Sequence, residues 1–439
     1  MIHSVVAKFG GTSVQSATSI QKIKQIISMN TNINVVVVSA VSGITDLLME
    51  FCKSSSSRQH TLAEKIKQTH LTLAKDLNLS LTDEIINYID QLNPKINSNA
   101  LTTRQIDEIL SLGEDLSSFI IHAFLIAQGI KIKHINIRDY LITDTHFGKA
   151  TPDIKEIRKR FASLPNDLCI TQGFVGSTYT KQTTTLGRGG SDYSAALIAE
   201  AMSVDKLLIY TDVPGVFTMD PNVTTPTYPI KELTFQEMAE MANFGAKILH
   251  PATLEPCIRS HIPVQILSTF EPDQPGTHIC MTAPKMPEPK IRAITMRGRQ
   301  ILVIVKSLQM LNAYGFLANI FNILAKYKIS IDLITTSEVS IALTVDEKEC
   351  KDVFHPSSKL MQELKPFADI AQEKDLTLLA VIGSGLTVSG VIQKTLSYIQ
   401  PSIIRLICYG ASNSSIGILV KEKDAVYLAK ELHKKLIGE

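Results

Sequence analysis

Short apolar runs alternate with amphipathic stretches through the first part of the chain. VVAKF at 5–9 and VVVV at 35–38 have the length and composition of buried strands, and each is followed by small residues and then by a helical pattern. Further runs of this kind lie at 132–137, 168–171, 207–210 and 264–267. Strands that alternate with helices predict an α/β fold with a mainly parallel central sheet covered by helices.

The last third of the chain repeats one order of elements. A strand, a glycine-led helix and two further strands are predicted from 301 to 345, and the same order returns from 376 to 420. An offset of about 75 residues indicates two small α+β modules rather than a solenoid. APKMPEPK at 283–290 carries three prolines, which favour extended chain. The predicted organisation is a domain at 1–284, a linker at 285–300 and modules at 301–375 and 376–439.

Composition narrows the class of protein. Apolar residues make up 44% of the chain and charged residues 20%, as in ordinary globular proteins. A formal net charge of +2 gives no sign of a nucleic-acid partner or a membrane surface. The six cysteines are scattered, and no His/Cys cluster suggests a metal site. With no signal-peptide pattern and no run of about 18 apolar residues, we expect a cytoplasmic protein.

The stretch GRGGSDYSAALIAEA at 187–201 combines glycines, one arginine and a Ser-Asp pair at the predicted start of a helix. Free backbone N–H groups at a helix start attract anions, and the Arg188 guanidinium matches a carboxylate or a phosphate. Taken alone, the stretch is equally typical of a tight turn before a buried helix.

Two lysines extend this pattern. Lys8 lies within an apolar strand and Lys247 follows two small residues, although each position alone is also typical of a surface lysine. Ligands of parallel sheets bind beyond the carboxyl ends of the strands, and Lys8, Arg188 and Lys247 can all be assigned to that edge. Phosphoryl transfer requires cations and backbone N–H groups around the moving group. The chain has no GxxxxGK[ST] loop, which argues against a Walker-type nucleotide site.

Seven segments resemble aspartate kinases, which belong to the wider amino-acid-kinase fold family. Those of the first domain are KFGGTSV (8–14), SAVSGITD (39–46), TTTLGRGGSDYSAALIAEA (183–201), TDVPGVFTMDP (211–221) and FGAKILHPATL (244–254). SLQMLNAYGFLANIF (307–321) and SIDLITTSEVSIALTVD (330–346) resemble the paired ACT regulatory modules of lysine-sensitive aspartate kinases. The resemblance implies an αβα sandwich of the amino-acid-kinase fold, followed by two ACT-type βαββαβ modules.

The resemblance also implies a reaction, the ATP-dependent phosphorylation of the L-aspartate side chain. Lys8 and Lys247 would stabilise the phosphoryl group and the departing ADP, and Asp192 would orient the lysines and the substrate. The implied aspartate-binding residues are Thr45, Glu114, Arg188, Gly189, Gly190 and Ser191. The implied nucleotide-binding residues are Lys8, Gly10, Gly11, Thr12, Ser13, Thr211, Asp212, Phe217, Lys247 and Ile248. Mg²⁺ would be carried on the ATP phosphates, without an assigned protein ligand.

Regulation by an amino acid is a further implication. Lysine is the first candidate effector, with threonine, a lysine precursor or a pair of these as the others, and the ACT modules imply a homodimer or a dimer of dimers. Asp332 suits an effector ammonium, and Ala313 and Asn222 depart from the family pattern, where relatives commonly carry a serine and an arginine. The implied effector-binding residues are Met310, Ala313, Gly315, Phe316, Leu317, Ser330, Ile331, Asp332, Ser337 and Glu338.

Two other functions fit parts of the pattern. One is another amino-acid kinase, acting on a glutamate-type substrate or a nucleotide, and the repeated modules and the Arg188 segment argue against it. The other is a non-catalytic amino-acid sensor of the ACT type. The presence of Lys8, Arg188, Asp192 and Lys247 argues against such a loss of catalysis.

Overall fold

A computed structural model describes residues 4–96, 101–164, 167–246, 249, 251–281, 290–311, 314–347, 350, 353–355, 357–399 and 402–438. The chain divides into two compact units. The first contains Met1–Val216, Pro229–Phe235 and Ile248–Ala283, and the second contains Phe217–Tyr228, Gln236–Lys247 and Pro284–Glu439.

An eight-stranded sheet forms the centre of the first unit. The strands of this unit are β1 (Val5–Phe9), β2 (Ile33–Val38), β3 (Lys133–His134), β4 (Cys169–Gln172), β5 (Val175–Ser177), β6 (Thr183–Thr185), β7 (Lys206–Thr211), β8 (Glu232–Thr234), β9 (Val264–Ser268) and β10 (Thr277–Cys280). The sheet order is β3-β4-β2-β1-β7-β9-β10-β8, with β5 and β6 paired separately. Its first six strands are parallel and β10 is antiparallel to β9. The predicted mainly parallel sheet is confirmed.

Helices cover both faces of this sheet. They are α1 (Ala17–Met29), α2 (Ile44–Lys53), α3 (Ser56–Asp76), α4 (Thr82–Asp90), α5 (Thr103–Ala127), α6 (Ile154–Phe161), α7 (Gly190–Met202) and α9 (Pro251–Arg259). Alternate β1 side chains point to opposite faces. Val5, Ala7 and Phe9 enter the core that holds the apolar side chains of α1 to α5, whereas Lys8 points toward α7. The arrangement is therefore an αβα sandwich.

Helix α5 begins earlier than the sequence predicts. The apolar pattern places its start near Leu116, but it runs from Thr103, so Gly113 and Glu114 lie within the helix rather than before it. Gly113 permits this packing, because a Cβ there would lie 2.8 Å from the Ala40 Cβ. By length and composition α5 could cross a membrane, yet most of its apolar stretch is buried inside the protein, as in the core helix of a folded domain.

The second unit is built on a six-stranded antiparallel sheet. Its strands are β11 (Lys290–Lys306), β12 (Leu333–Thr336), β13 (Ser340–Asp346), β14 (Asp369–Ser384), β15 (Leu406–Cys408) and β16 (Ser415–Lys421), in the order β12-β13-β11-β14-β16-β15. Its helices are α8 (Phe235–Asn243), which belongs to this unit from Gln236 onward, α10 (Phe316–Lys326), α11 (Lys359–Leu364), α12 (Val391–Ser397) and α13 (Glu422–Leu436). Both predicted repeats are present.

One long strand, β11, serves both repeats. Residues 290–297 pair with the second half of β14, and residues 300–306 pair with β13 and with the first half of β14. The register shifts between Arg297 and Gln300, where the strand passes from one apolar core to the other. Residues 290–300, which the sequence assigns to a linker, are therefore strand. The second module needs them beside 376–439, so the first module is inserted within it.

A segment predicted to belong to the first domain lies in the second unit. Met219 is buried in the core of the second module, and Thr218 Oγ1 is 2.8 Å from the His433 Nε2 of α13. These contacts place 217–228 in the second unit, although the sequence assigns every residue before 285 to the first domain. The predicted boundary at 284 falls outside the described residues.

Candidate active site

A cavity of about 730 Å³ opens at the carboxyl ends of the central strands of the first unit. It lies between the start of α7, the middle of α5 and the turn that follows β2. Nine of the predicted site residues line it, namely Lys8, Gly11, Thr45, Glu114, Arg188, Gly189, Gly190, Ser191 and Asp192. The structure thus brings together residues that are far apart in the sequence.

Lys8 supplies the cation at the floor of this cavity. Its β1 position is buried among apolar strand residues, and its Nζ lies 2.5 Å from Asp192 Oδ1 in the first turn of α7. The two side chains keep only 10% and 16% of their surface exposed. Burying an unpaired ammonium is costly, so Asp192 is what allows Lys8 to lie here. The pair places a fixed positive charge beside a helix start.

The start of α7 depends on glycines. Gly189 precedes the helix with φ of 73°, a conformation that other residues adopt only with strain. Gly173, which the sequence analysis does not single out, follows β4, and a Cβ there would lie 2.7 Å from the Ser191 Cβ. The backbone of Gly173 therefore sets how closely the first turn of α7 approaches the sheet. Free N–H groups at a helix start favour an anion, and residues of this first turn line the cavity.

Glu114 places a carboxylate in a nearly water-free position. The residue is 3% exposed, and burial raises the pKa of its carboxyl group to about 8, although a hydrogen bond from the Ala40 backbone opposes the rise. Among the described residues nothing hydrogen-bonds its Oε2 atom. A buried acceptor without a partner is costly, and a cationic group entering the cavity would satisfy it.

Asp107 is a cavity residue that the sequence analysis misses. It is fully buried and accepts hydrogen bonds of 2.9 Å from the Gly148 N–H, 2.9 Å from the Thr185 N–H and 2.8 Å from the Thr185 hydroxyl. Desolvation raises the pKa of Asp107 despite these bonds. Asp107 therefore fixes the Gly148 loop and β6 at the cavity wall. Its spacing of seven residues from Glu114 would reveal a shared helix face, but only once α5 is known to begin at Thr103.

Most of the predicted nucleotide-binding residues that the structure describes lie at the carboxyl ends of β1 and β7. The Gly10 N–H donates to the Tyr210 carbonyl, which lies beside Thr211 at the end of β7. The Ser13 hydroxyl lies 2.7 Å from that of Thr269 after β9. Gly10, Thr12, Ser13, Thr211 and Asp212 thus follow neighbouring parallel strands at one sheet edge. Phe217 belongs to the second unit, and Lys247 and Ile248 lie outside the described residues.

The predicted effector residues form two groups in the second unit. Met310, Gly315, Phe316 and Leu317 follow the end of β11, where the Ser307 N–H donates to Val339 next to the 337–338 turn. Ser330, Ile331 and Asp332 lead into the other end of β12. Because β12 rises about 3.3 Å per residue, roughly 16 Å of strand separates Asp332 from Ser337. The described effector residues of one chain therefore lie near the two ends of β12, and Ala313 lies outside the described residues.

Two parts of the chain match known protein families. Residues 4–268 match the amino acid kinase family, and residues 303–355 match the ACT domain. The lysine-sensitive aspartokinase 3 of Escherichia coli is 38% identical over 450 residues, which cover 99% of this chain and 100% of that protein.

Two solved structures extend the similarity to the fold. The crystal structure of E. coli aspartokinase III in complex with aspartate and ADP, an R-state, matches 99% of both chains with a TM-score of 0.88 at 38% identity. The same enzyme in complex with lysine and aspartate, a T-state, matches with a TM-score of 0.83 over the same share.

Proposed function

Because this chain belongs to the amino acid kinase family, and within it to the aspartokinases, we propose that the cavity of the first unit transfers the γ-phosphoryl group of ATP to L-aspartate. The products are ADP and 4-phospho-L-aspartate, in the first step of aspartate-family amino-acid biosynthesis. The observation that carries the proposal is the presence of the Lys8–Asp192 pair, the start of α7 and the buried Glu114 carboxylate around one cavity. In support, the E. coli aspartokinase III structure holds aspartate and ADP.

Aspartate binding uses the side of the cavity near α5. The Glu114 carboxylate would receive the substrate ammonium, and the Thr45 hydroxyl would hydrogen-bond to it. Arg188, exposed at the cavity mouth, would bind the α-carboxylate through its planar pair of donors, with the adjoining Gly189–Ser191 backbone. The side-chain carboxylate is then directed toward Lys8.

Phosphoryl transfer needs no general base here. A carboxylate with a pKa of about 4 is already ionised at neutral pH. One of its oxygens attacks the γ-phosphorus while the bond to the bridging β–γ oxygen breaks, and ADP leaves with the electron pair. Lys8 stabilises the charge on the phosphoryl oxygens, and Asp192 holds Lys8 in place. Lys247 would stabilise the departing oxygens.

Magnesium would accompany ATP. The described residues contain no group of three or more His, Cys, Asp or Glu side chains that could hold a metal ion. Mg²⁺ retains several waters and is commonly bound through substrate phosphates and few carboxylates, which fits this donor set. The ion would supply charge neutralisation on the ATP phosphates.

Lysine is the proposed regulator, in a cytoplasmic enzyme of lysine and diaminopimelate biosynthesis. The E. coli relative is lysine-sensitive by name, and its T-state structure holds lysine. Strand β12 lies at an edge of the second sheet, and Ile334 on it is 41% exposed. Antiparallel pairing of two β12 strands would bring Asp332 of one subunit near Ser337 of the other. The separation of the two effector groups therefore favours a homodimer with lysine between its subunits.

Aspartate-dependent ADP formation tests the proposed function. We expect purified chain with Mg²⁺ and ATP to release ADP when L-aspartate is added, and hydroxylamine to trap the acyl phosphate as a hydroxamate. Glutamate, N-acetylglutamate and a nucleoside monophosphate, as alternative acceptors, test for another amino-acid kinase. Lysine binding without ADP formation from any acceptor would instead indicate a non-catalytic sensor.

A further inference from the structure

A single guanidinium joins the first regulatory module to the end of α8. Arg297 Nη1 donates to Asp332 Oδ1 at 2.8 Å and to the carbonyl oxygen of Asn243 at 3.3 Å. Its Nη2 donates to Asp346 Oδ2 at 3.3 Å. Arg297 and Asp332 keep 26% and 17% of their side-chain surface exposed, so this pair is better shielded than an ordinary surface salt bridge.

Strand β11 also holds α8 at two other places. Near the start of the helix, the Arg292 Nε donates to Glu237 Oε1 at 3.4 Å, and both side chains are buried. After its end, Gly245 adopts φ of +104°, and a Cβ there would lie 2.4 Å from the Met296 carbonyl oxygen. The backbone that leads from α8 toward Lys247 is therefore fixed on the strand that carries Arg297.

We propose that Arg297 is the built-in cation of the amino-acid effector site, which occupies Asp332 when no effector is bound. The inference rests on the proposed function, in which Asp332 receives the effector ammonium. An ammonium arriving at Asp332 competes with the guanidinium for the same carboxylate, whose Oδ1 atom accepts the 2.8 Å bond from Arg297. Since the same Arg297 nitrogen also donates to Asn243, effector binding alters a bond that holds the end of α8. Arg297 is thus a positioning residue between the effector site and the segment that carries Lys247.

Competition between Arg297 and the effector ammonium predicts the direction in which the affinity for L-lysine changes. Arg297→Gln removes the competing charge and leaves an amide that can still donate to the Asn243 carbonyl. We expect the dissociation constant for L-lysine to fall by about 5-fold or more, within the usual range of coupling between sites. Arg297→Lys keeps the charge on one donor atom, so its dissociation constant should stay within about 2-fold of the wild-type value. A loss of packing alone would weaken lysine binding in both variants.

The experiment is a calorimetric titration of L-lysine into the full-length chain. Arg299→Gln is the matched control, because Arg299 lies two residues away on β11 with an exposed side chain. We expect tighter binding in Arg297→Gln and unchanged binding in Arg299→Gln and Arg297→Lys. Wild-type or weaker affinity in Arg297→Gln would overturn the inference, as would the absence of lysine binding in every variant. Thermal unfolding of each variant shows whether it is folded, and Arg297→Met, which also removes the charge and should also bind lysine more tightly, replaces Arg297→Gln if that variant is not.

The proposed function fails by a different measurement. Absence of aspartate-dependent ADP formation by the wild-type chain contradicts the kinase assignment, whereas tighter lysine binding by Arg297→Gln would still support the counter-ion role. Conversely, a fully active kinase whose Arg297→Gln variant binds lysine no better than wild type keeps its function and loses this inference.

Discussion

Two carboxylates in this protein are both expected to meet the ammonium group of an amino acid, and the structure prepares them in opposite ways. Glu114 is buried in the catalytic cavity with one oxygen unpartnered among the described residues, and its pKa is raised to about 8. Asp332 in the regulatory unit already holds the Arg297 guanidinium at 2.8 Å. On the proposed function, a ligand would displace a proton at Glu114 and an arginine at Asp332. Catalytic binding should therefore depend on pH, and regulatory binding on competition between cations.

Lys8 tests whether the charges of the catalytic cavity act on substrate or only stabilise the fold. We expect Lys8→Ala to lower kcat by about 10²–10³-fold or more, as for loss of one preorganised charge-stabilising donor. Steady-state ADP release at saturating aspartate and ATP measures it. Lys75→Ala, an exposed lysine of α3, is the matched control and should keep wild-type turnover. Near-normal turnover in Lys8→Ala would remove this lysine from the mechanism.

Substitution of Glu114 tests whether this carboxyl group binds the substrate ammonium after losing its proton. We expect Glu114→Gln to raise the KM for aspartate by about 10–150-fold, the worth of a hydrogen bond to a charged group, with a smaller change in kcat. In the wild type, KM should fall as pH rises toward 8, because the carboxyl must ionise to bind an ammonium. Kinetics between pH 6 and pH 9 measure both effects. A wild-type KM for aspartate that does not change with pH would contradict the role of Glu114 in binding the ammonium. Glu84→Gln, at an exposed position of α4, is the control.

Glu114→Gln should also raise the stability of the folded protein at high pH, although it weakens aspartate binding. A carboxyl whose pKa rises from 4.5 to about 8 on folding holds a proton that the unfolded chain has lost, so stability falls as pH rises through this window. Glu114→Gln lacks that fall, and we expect it to be more stable than wild type at pH 8 by about 1–3 kcal/mol. Urea unfolding at pH 5 and pH 8 measures the difference. A variant less stable than wild type at pH 8 would show that the buried carboxylate finds a favourable partner.

Substitution of Asp332 tests whether this carboxylate binds the ammonium group of the effector. We expect Asp332→Ala to raise the lysine concentration for half-inhibition by about 5–50-fold, within the usual size of allosteric coupling, and to leave uninhibited activity unchanged. Dose curves of ADP formation against lysine measure the shift. Asp369→Ala, an exposed carboxylate on β14, is the control. An unshifted curve would mean that the effector ammonium binds elsewhere.

Substitution of Gly173 tests whether the position of the first turn of α7 matters for binding aspartate and ATP. A Cβ at Gly173 would lie 2.7 Å from the Ser191 Cβ, so Gly173→Ala must move the first turn of α7. We expect a loss of about 1–3 kcal/mol of stability, typical of overpacking, and a drop of several-fold in kcat/KM. Thermal unfolding and kinetics measure these, and Gly298→Ala, with only ordinary contact at 3.7 Å, is the control. Unchanged values would show that the turn adjusts without cost.

The parallel sheet and the main helices could be predicted because their apolar runs are long and their turns are rich in Gly, Ser and Thr. The repeat in the last third was visible for the same reason. The start of α5 was missed because the apolar run that marks the helix covers only 116–127, whereas the close packing of Gly113 on Ala40 is a tertiary effect. Asp107 and Gly173 were missed because their importance depends on partners distant in the sequence. The pairing of Arg297 with Asp332 was missed for the same reason, because the two residues are 35 positions apart in the sequence.

Strand β11 completes both regulatory modules, and this restricts how such a protein can change over generations. A gene exchange that begins at codon 376 joins an incoming second module to the strand 290–297 that the recipient already has, and that strand must then pair in register with the incoming β14. An exchange that begins at codon 290 carries both partners of this pairing together. We therefore expect exchanges that begin at 290 to preserve folding better than those that begin at 376.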